Sequence, residues 1–237
     1  PSKKEEKIRE YLLEFAKKHN LTAKTDKVGN VVISKPATPG HENAPTVIMQ
    51  GHMDMVCESN DKHFEFANSP IPAVIDGEWI RTNGTTLCAD NGIGMAASLA
   101  ALIDDSFEHG PLEALFTVDE ETGMTGANNL GPDMITGSML LNLDSEDDAE
   151  IFVGCAGGVD TQAFFTYNRS FAPSDFLYFK INVEGLNGGH SGGDIHLGRA
   201  NANKLLARFL WTLSANHDLS LAEIDGGNLR NAIPRAA

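Results

Sequence analysis

The chain has 237 residues, 41% hydrophobic and 22% charged, enough apolar material for one large domain or two small ones. Asp and Glu outnumber Lys and Arg by 33 to 18, and a net charge of −15 argues against nucleic acid or an anionic membrane surface as partner. Three cysteines (Cys57, Cys88, Cys155) are too few and too odd in number for a disulfide framework, and no apolar run approaches the ~20 residues of a membrane span, so a soluble cytoplasmic protein is expected.

Ser2 and Glu5 have the spacing of a capping box, in which Ser2 caps the amide three residues on and Glu5 reaches back. Ile8, Tyr11, Leu12 and Phe15 recur at helical spacing and predict an amphipathic helix to about Lys18. Val31-Val32-Ile33 predicts a strand, ended by Pro36 and Pro39. Thr46 to Met49 predicts a second, with His52 and Asp54 on one face just past it, because side chains two apart on an extended chain point the same way. Asn91 to Leu102 is rich in Ala and Leu, opens on an Asn cap and reads as a buried helix. Leu112 to Val118 then runs into Asp119-Glu120-Glu121, and Met139 to Leu143 runs into Asp144.

This alternation predicts an α/β domain with a largely parallel central sheet flanked by helices. The texture changes after Gly154-Cys155-Ala156-Gly157-Gly158. Alternating strands are predicted at Thr161 to Tyr167 and Phe176 to Val183, then a glycine-rich loop and a helix from about Arg199 to Asn216. A boundary near Gly157 divides the chain into residues 1–157 and 158–237.

The polar residues that end the apolar runs or open the helix form a set: His52, Asp54, Asp90, Glu120, Glu121 and Asp144. Taken singly, each reads as a helix cap or a solvated acid; the agreement of several strand ends favours one shared site at a sheet edge. One imidazole with several carboxylates suits zinc, manganese or cobalt better than calcium, which takes oxygen only, or a structural zinc, which takes thiolates. Asp54 is placed to accept a hydrogen bond from the second nitrogen of His52 and fix its tautomer. Glu120 and Glu121 should point apart, so that one binds metal while the other handles protons, and Asp90 has two oxygens with which to bridge two cations. A phosphate loop at Asp90-Asn91-Gly92-Ile93-Gly94 is the weaker reading, for it lacks the third glycine of a dinucleotide fingerprint and the Gly-Lys-Ser/Thr of a triphosphate loop. Cys88 reads as a small packed residue, and His19, His41, His63, His109 and His217 as surface or loop histidines.

GHMDMVCE, GTTLCADNGIGMA, TVDEETGMTGA, NLDSED and GLNGGHSGGDIHLGRANANKLLARFL resemble the aminoacyl-histidine dipeptidases, also called Xaa-His or cytosolic non-specific dipeptidases, of the co-catalytic zinc peptidases. The resemblance covers essentially the whole chain. It implies a dinuclear centre for two divalent cations, zinc first and manganese or cobalt next, acting on a small peptide. By resemblance His52 and Asp144 would hold one metal, Asp90 would bridge, Glu121 would hold the second, Asp54 would orient His52, and Glu120 would be the general base. It also implies a catalytic segment in residues 1–157, part of a smaller α+β lid domain in 158–237, and a homodimer. His190 would polarise the scissile carbonyl and Asn231 would contact substrate. Two departures stand out. Cys88 occupies a position where the family usually has glycine, and family members are far longer, with a later histidine completing the second metal site. This chain alone is therefore expected to be an incomplete enzyme. A related tripeptidase or amino-acid deacylase, or a non-catalytic metal-binding protein on the same scaffold, is the alternative.

Overall fold

In the computed structural model, which describes all residues except Glu146, Asp148 and Ala156, the chain divides into two compact units, Pro1–Cys155 and Ala156–Ala237. The first contains α1 (Glu6–Lys18), β1 (Thr22–Thr25), β2 (Val31–Lys35), β3 (Val47–His52), β4 (Ala73–Asp76), β5 (Trp79–Thr82), α2 (Ala89–Ile103) and β6 (Leu112–Thr117). Two single helical turns, α3 (Glu120–Gly123) and α4 (Thr125–Asn128), and the strand β7 (Met139–Asn142) complete it.

Five strands form one sheet in the order β1-β2-β6-β3-β7. β3 pairs in parallel with β6 on one side and β7 on the other, whereas β1, β2 and β6 pair antiparallel. The sheet is thus mixed, with a parallel centre. β6 is buried along its whole length, as a strand covered on both faces must be, and Phe116 has no exposed surface. Alternation divides β2 between the two faces. Val31 and Ile33 join Leu12 of α1 and Met95 and Leu102 of α2 in the larger core cluster, while Val32 packs with Ile48, Leu115 and Met134 on the other side.

Parallel pairing carries the ends of neighbouring strands to one edge. His52 lies opposite Thr117, and Gln50 opposite Asn142, so the segments leaving β3, β6 and β7 depart side by side. Asn30 fixes the exit from β6. Fully buried, it accepts from the Val118 amide at 3.1 Å and donates to the Gly126 carbonyl at 2.9 Å. A Cβ on Gly126 would collide with the Asn30 side-chain oxygen, so the close approach requires glycine there.

Several expectations need correction. Ser2 and Glu5 do not form a capping box: α1 begins at Glu6 with Glu5 at its N-cap position and no side-chain cap bond. Asn91 does not cap α2, which starts at Ala89 and has non-helical backbone at Asp90 and Asn91, across a cis peptide bond. His109 lies in a loop, as expected, but is buried rather than at the surface, its amide donating to Thr38 Oγ1 at 3.0 Å. β1 and the exposed β4–β5 hairpin carry no strong apolar periodicity and were not expected.

In the second unit, a short 3₁₀ turn (Ile195–Leu197) precedes α5 (Ala202–Ser214), whose N-cap Asn201 accepts from the Lys204 amide at 3.0 Å. The strands expected at Thr161 to Tyr167 and Phe176 to Val183 are absent among the described residues. Their period-two pattern is real, but no neighbouring strand supplies a ladder, and Phe164, Phe165, Tyr178 and Phe179 all lie exposed.

Candidate metal centre

His52, at the end of β3, is 1% exposed. Its Nδ1 lies 3.0 Å from the Asp54 carbonyl oxygen and 3.3 Å from Asp54 Oδ1. A carbonyl only accepts, so the proton sits on Nδ1 and Nε2 faces the site. Nε2 is 2.8 Å from Asp90 Oδ1 and 3.6 Å from Asp144 Oδ1.

Asp54 is buried and serves more than the imidazole. Its Oδ1 accepts from the Glu120 amide at 2.9 Å, and its Oδ2 accepts from the Glu121 amide at 3.2 Å and the Ser2 hydroxyl at 2.7 Å. One carboxylate at the first turn of α3 therefore binds two amides that have no helical partner and draws both glutamates toward β3. Asp119, just before that turn, has left-handed backbone (φ 52°), is buried, and accepts from the Thr122 and Thr125 hydroxyls.

Asn91 plays an unexpected part. Its amide group donates to the Leu143 carbonyl and to Asp144 Oδ1, each at 2.8 Å, so it fixes the last acid of the set. A Cβ on Gly51 would collide with the Asn91 side-chain oxygen, and one on Gly94 with the Leu143 carbonyl. Glycine at 94 thus serves close packing of α2 against the segment after β7, not phosphate binding. Sequence reasoning missed Asn91 because an Asn ahead of an apolar helix has the same local signature as an ordinary cap. Cys88, half-buried, has left-handed backbone (φ 71°), a conformation that suits glycine, and burial pushes its thiol pKa up.

A ring nitrogen of His52, an Asp90 oxygen and a Glu121 oxygen all lie within 4.8 Å of one another. The electrostatics of the group suit a cation. Burial alone depresses the His52 imidazole, but its hydrogen bonds to the carboxylates of Asp144, Asp54 and Asp90 outweigh it and hold its pKa up at about 11. Burial, reinforced by Asp90, pushes Glu121 up to about 7. Burial also raises Asp90 and Glu120, with Asp144 adding to both. The hydrogen bond to His52 holds Asp144 down, and Asp54 lies far below the usual carboxylate range because its four hydrogen-bond partners overcome burial. Without a cation, such a set must carry protons to offset its own negative charge; a divalent ion does the same while using Nε2 and the carboxylates as ligands. The donor set fits one.

In the second unit, the His190 amide donates to Asp194 Oδ2 at 2.9 Å, and the Gly192 and Gly193 amides donate to His190 Nδ1 at 3.1 and 3.0 Å. Nδ1 is therefore an acceptor, and the neutral ring presents Nε2–H outward. Arg199 clamps the loop through the Gly188 carbonyl at 2.9 Å and Asp194 at 3.1 Å. The Ser191 amide donates to the Asn231 carbonyl at 2.9 Å and His190 bridges Ala232, so His190 and Asn231 lie on adjoining segments.

The family model for peptidase family M20/M25/M40 matches residues 48–185, which span β3, α2, α3 and β7. The chain belongs to this family. A second model, the peptidase dimerisation domain, matches residues 181–237 of the M20 chain. Over its full length the chain is 49% identical to the cytosol non-specific dipeptidase of Escherichia coli, of which it covers 49%. It is 46% identical to the aminoacylhistidine dipeptidase of Vibrio alginolyticus, covering 100% of this chain and 48% of that one with a TM-score of 0.64. A Bacillus cereus structure titled aminopeptidase PepT shares the fold at 19% identity and a TM-score of 0.52, with 100% of this chain and 60% of that one covered. The chain thus spans about half the length of these dipeptidases. The M20 family is metal-dependent, in keeping with the donor set around His52. No helix among the described residues is long and apolar enough to cross a membrane.

Proposed function

We propose that this protein is a cytoplasmic metal-dependent dipeptidase, working on Xaa-His and related dipeptides as a homodimer. The observation that carries the reading is His52 Nε2 facing Asp90, Asp144 and Glu121 at the shared edge of three parallel strands, in a chain 49% identical to a named dipeptidase.

In this reading His52, Asp90, Glu121 and Asp144 hold two divalent cations, zinc first and manganese or cobalt next. Asp90 would be the ligand the two share, because its carboxylate lies closest to Nε2 and offers a second oxygen. Bound there, such cations would supply Lewis-acid polarisation of the peptide carbonyl and a lowered pKa for water. Asp54 keeps His52 in the tautomer with Nε2 free and, through the Glu120 and Glu121 amides, holds the acid pair in place. Glu121 belongs to the ligand cluster, which leaves Glu120 to take a proton from the attacking water and pass it to the departing amine. Burial raises the Glu120 pKa, which suits a group that must accept and then release a proton near neutral pH. His190, with Nε2–H presented, donates to the carbonyl oxygen as negative charge develops there, and Asn231 contacts the substrate.

Metal analysis and Xaa-His hydrolysis by the full-length protein test this. Two zinc ions per chain and turnover, both lost in His52→Ala, are expected. Turnover that survives both chelation and His52→Ala would overturn the reading.

A further inference from the structure

Ser2 and Glu5 have the spacing of a capping box, yet neither side chain bonds the helix that follows. Ser2 Oγ instead donates to Asp54 Oδ2 at 2.7 Å. Glu5, only 6% exposed, accepts from the Lys3 amide at 2.7 Å and from the buried Asp119 amide at 3.1 Å. Lys3, with left-handed backbone (φ 63°), turns the chain between the two contacts and brings its ammonium to 4.0 Å from Asp119 Oδ2. The two targets are neighbours in the site. Asp54 holds His52 and the amides of Glu120 and Glu121; Asp119 is the residue on which the turn bearing both glutamates begins.

We infer that Ser2 and Glu5 are positioning residues for the metal centre. Resting on the metal-site reading above, the inference gives residues 2–5 the task of closing on both sides of the Asp54–α3 junction. Ser2 occupies Asp54 Oδ2 beside the Glu121 amide and so limits rotation of the carboxylate that orients His52. Glu5 ties the backbone of Asp119, whose left-handed conformation aims Glu120 and Glu121 at the site. A buried carboxylate that accepts a site-loop amide, with no bond to its own helix, is committed to that loop. The Ser-x-x-Glu pattern is a brace here.

The test compares Ser2→Ala and Glu5→Ala with Ser2→Thr and Glu5→Gln in the full-length protein. Zinc affinity is measured by chelator competition and ligand geometry by the visible absorption of the cobalt-loaded protein. Loss of an outer partner of a metal ligand costs about 10–100-fold in metal affinity, and Ser2 and Glu5 lie one bond further out, so each alanine variant should weaken zinc about tenfold and alter the cobalt spectrum. Threonine keeps the hydroxyl and glutamine keeps an acceptor oxygen; both should restore affinity and spectrum. Wild-type affinity and spectrum in the alanine variants would overturn the inference, as would a loss that threonine and glutamine fail to restore. If Glu5→Ala does not fold, Ser2→Ala and its threonine rescue decide alone. Zinc held as tightly by His52→Ala as by wild type is a separate result, which would overturn the site reading and this inference with it.

Discussion

The two units solve the problem of placing a polar side chain in different ways. In Pro1–Cys155 the polar residues of the site hang from a buried framework, and their bonds span great sequence distance: Ser2 to Asp54 across 52 residues, Glu5 to Asp119 across 114. In Ala156–Ala237 the bonds around His190 are local, from Gly192, Gly193 and Asp194, with Arg199 and the Asn231 segment as outer supports. The first unit has a sheet with buried residues on both faces; the second buries few apolar side chains beyond Ala202, Leu206 and Ile233. A site built from distant residues needs a rigid framework to hold it. A tight glycine loop supplies its own geometry.

The sharpest way to break this contrast is catalytic. If the framework unit carries the proposed chemistry, Glu120→Ala in the full-length enzyme should lower turnover by ~10²–10⁴-fold, the usual contribution of a positioned acid–base group. Metal content, measured by atomic emission, should stay near wild type, whereas Glu121→Ala should lose metal. If Glu120→Ala sheds metal and activity together, the two glutamates have exchanged roles.

The next test compares two phenylalanines. Phe116 has no exposed surface and Phe165 is 85% exposed. Phe116→Ala removes a ring from the larger core cluster, which includes Leu12 of α1 and Met95 and Leu102 of α2, and should cost about 3–5 kcal/mol in urea unfolding. Phe165→Ala should stay within about 0.5 kcal/mol of wild type, as surface substitutions do. A large loss from Phe165→Ala would mean that the ring is covered in solution and that the second unit is less open than the contrast requires.

What the sequence disclosed follows the same division between near and far. The apolar runs before His52, Glu120 and Asp144 are long and β-rich, so their strands and the gathering of acids at strand ends could be read directly. Alternation put His52 and Asp54 on one face, and the two are in contact, though the shorter bond from Nδ1 goes to the Asp54 carbonyl at 3.0 Å rather than to the carboxylate at 3.3 Å. Asn91 and Ser2 were misassigned because cap signatures depend on three or four neighbouring residues, while the bonds actually made reach Leu143, Asp144 and Asp54. The stretches 161–167 and 176–183 failed in the opposite sense. A period of two names a face but not a partner, and a strand needs both. His190 and Asn231 came only from resemblance, since no local pattern joins residues 41 positions apart.

A smaller effect lies in the pH response of the metal-free chain. Glu121 and His52 both have raised pKa values, to about 7 and about 11. The folded state then holds protons that the unfolded chain releases, so stability should fall as pH rises, first between about 4.5 and 7 through Glu121, then above 6.5 through His52. Asp54, held low, acts in the other direction and matters only below the ordinary carboxylate range. Zinc should reverse the trend, because its ligands bind deprotonated. At 100 times its Kd, zinc adds about 2.7 kcal/mol, so thermal scans should show a zinc-induced rise in Tm that grows from pH 5.5 to 8. A rise that shrinks with pH would mean that His52 and Glu121 are not among the ligands.

The smallest expected effect tests whether the second unit relies on local bonds. α5 is a 13-residue helix with two buried residues, Ala202 and Leu206, and its N-cap bond runs from the Lys204 amide to Asn201 Oδ1 at 3.0 Å. A helix of this length is marginal on its own, so its first turn depends heavily on that cap. Asn201→Ala should cost about 1 kcal/mol locally, visible as roughly fivefold faster amide exchange at residues 203–206 and little change in β6. Asn201→Asp keeps the acceptor oxygen and adds a negative charge at the helix N-terminus, so it should restore protection or exceed it. If Asn201→Ala leaves exchange in α5 unchanged, packing rather than the cap holds the helix. If it accelerates exchange in β6 as well, the effect of the cap is not local to the second unit.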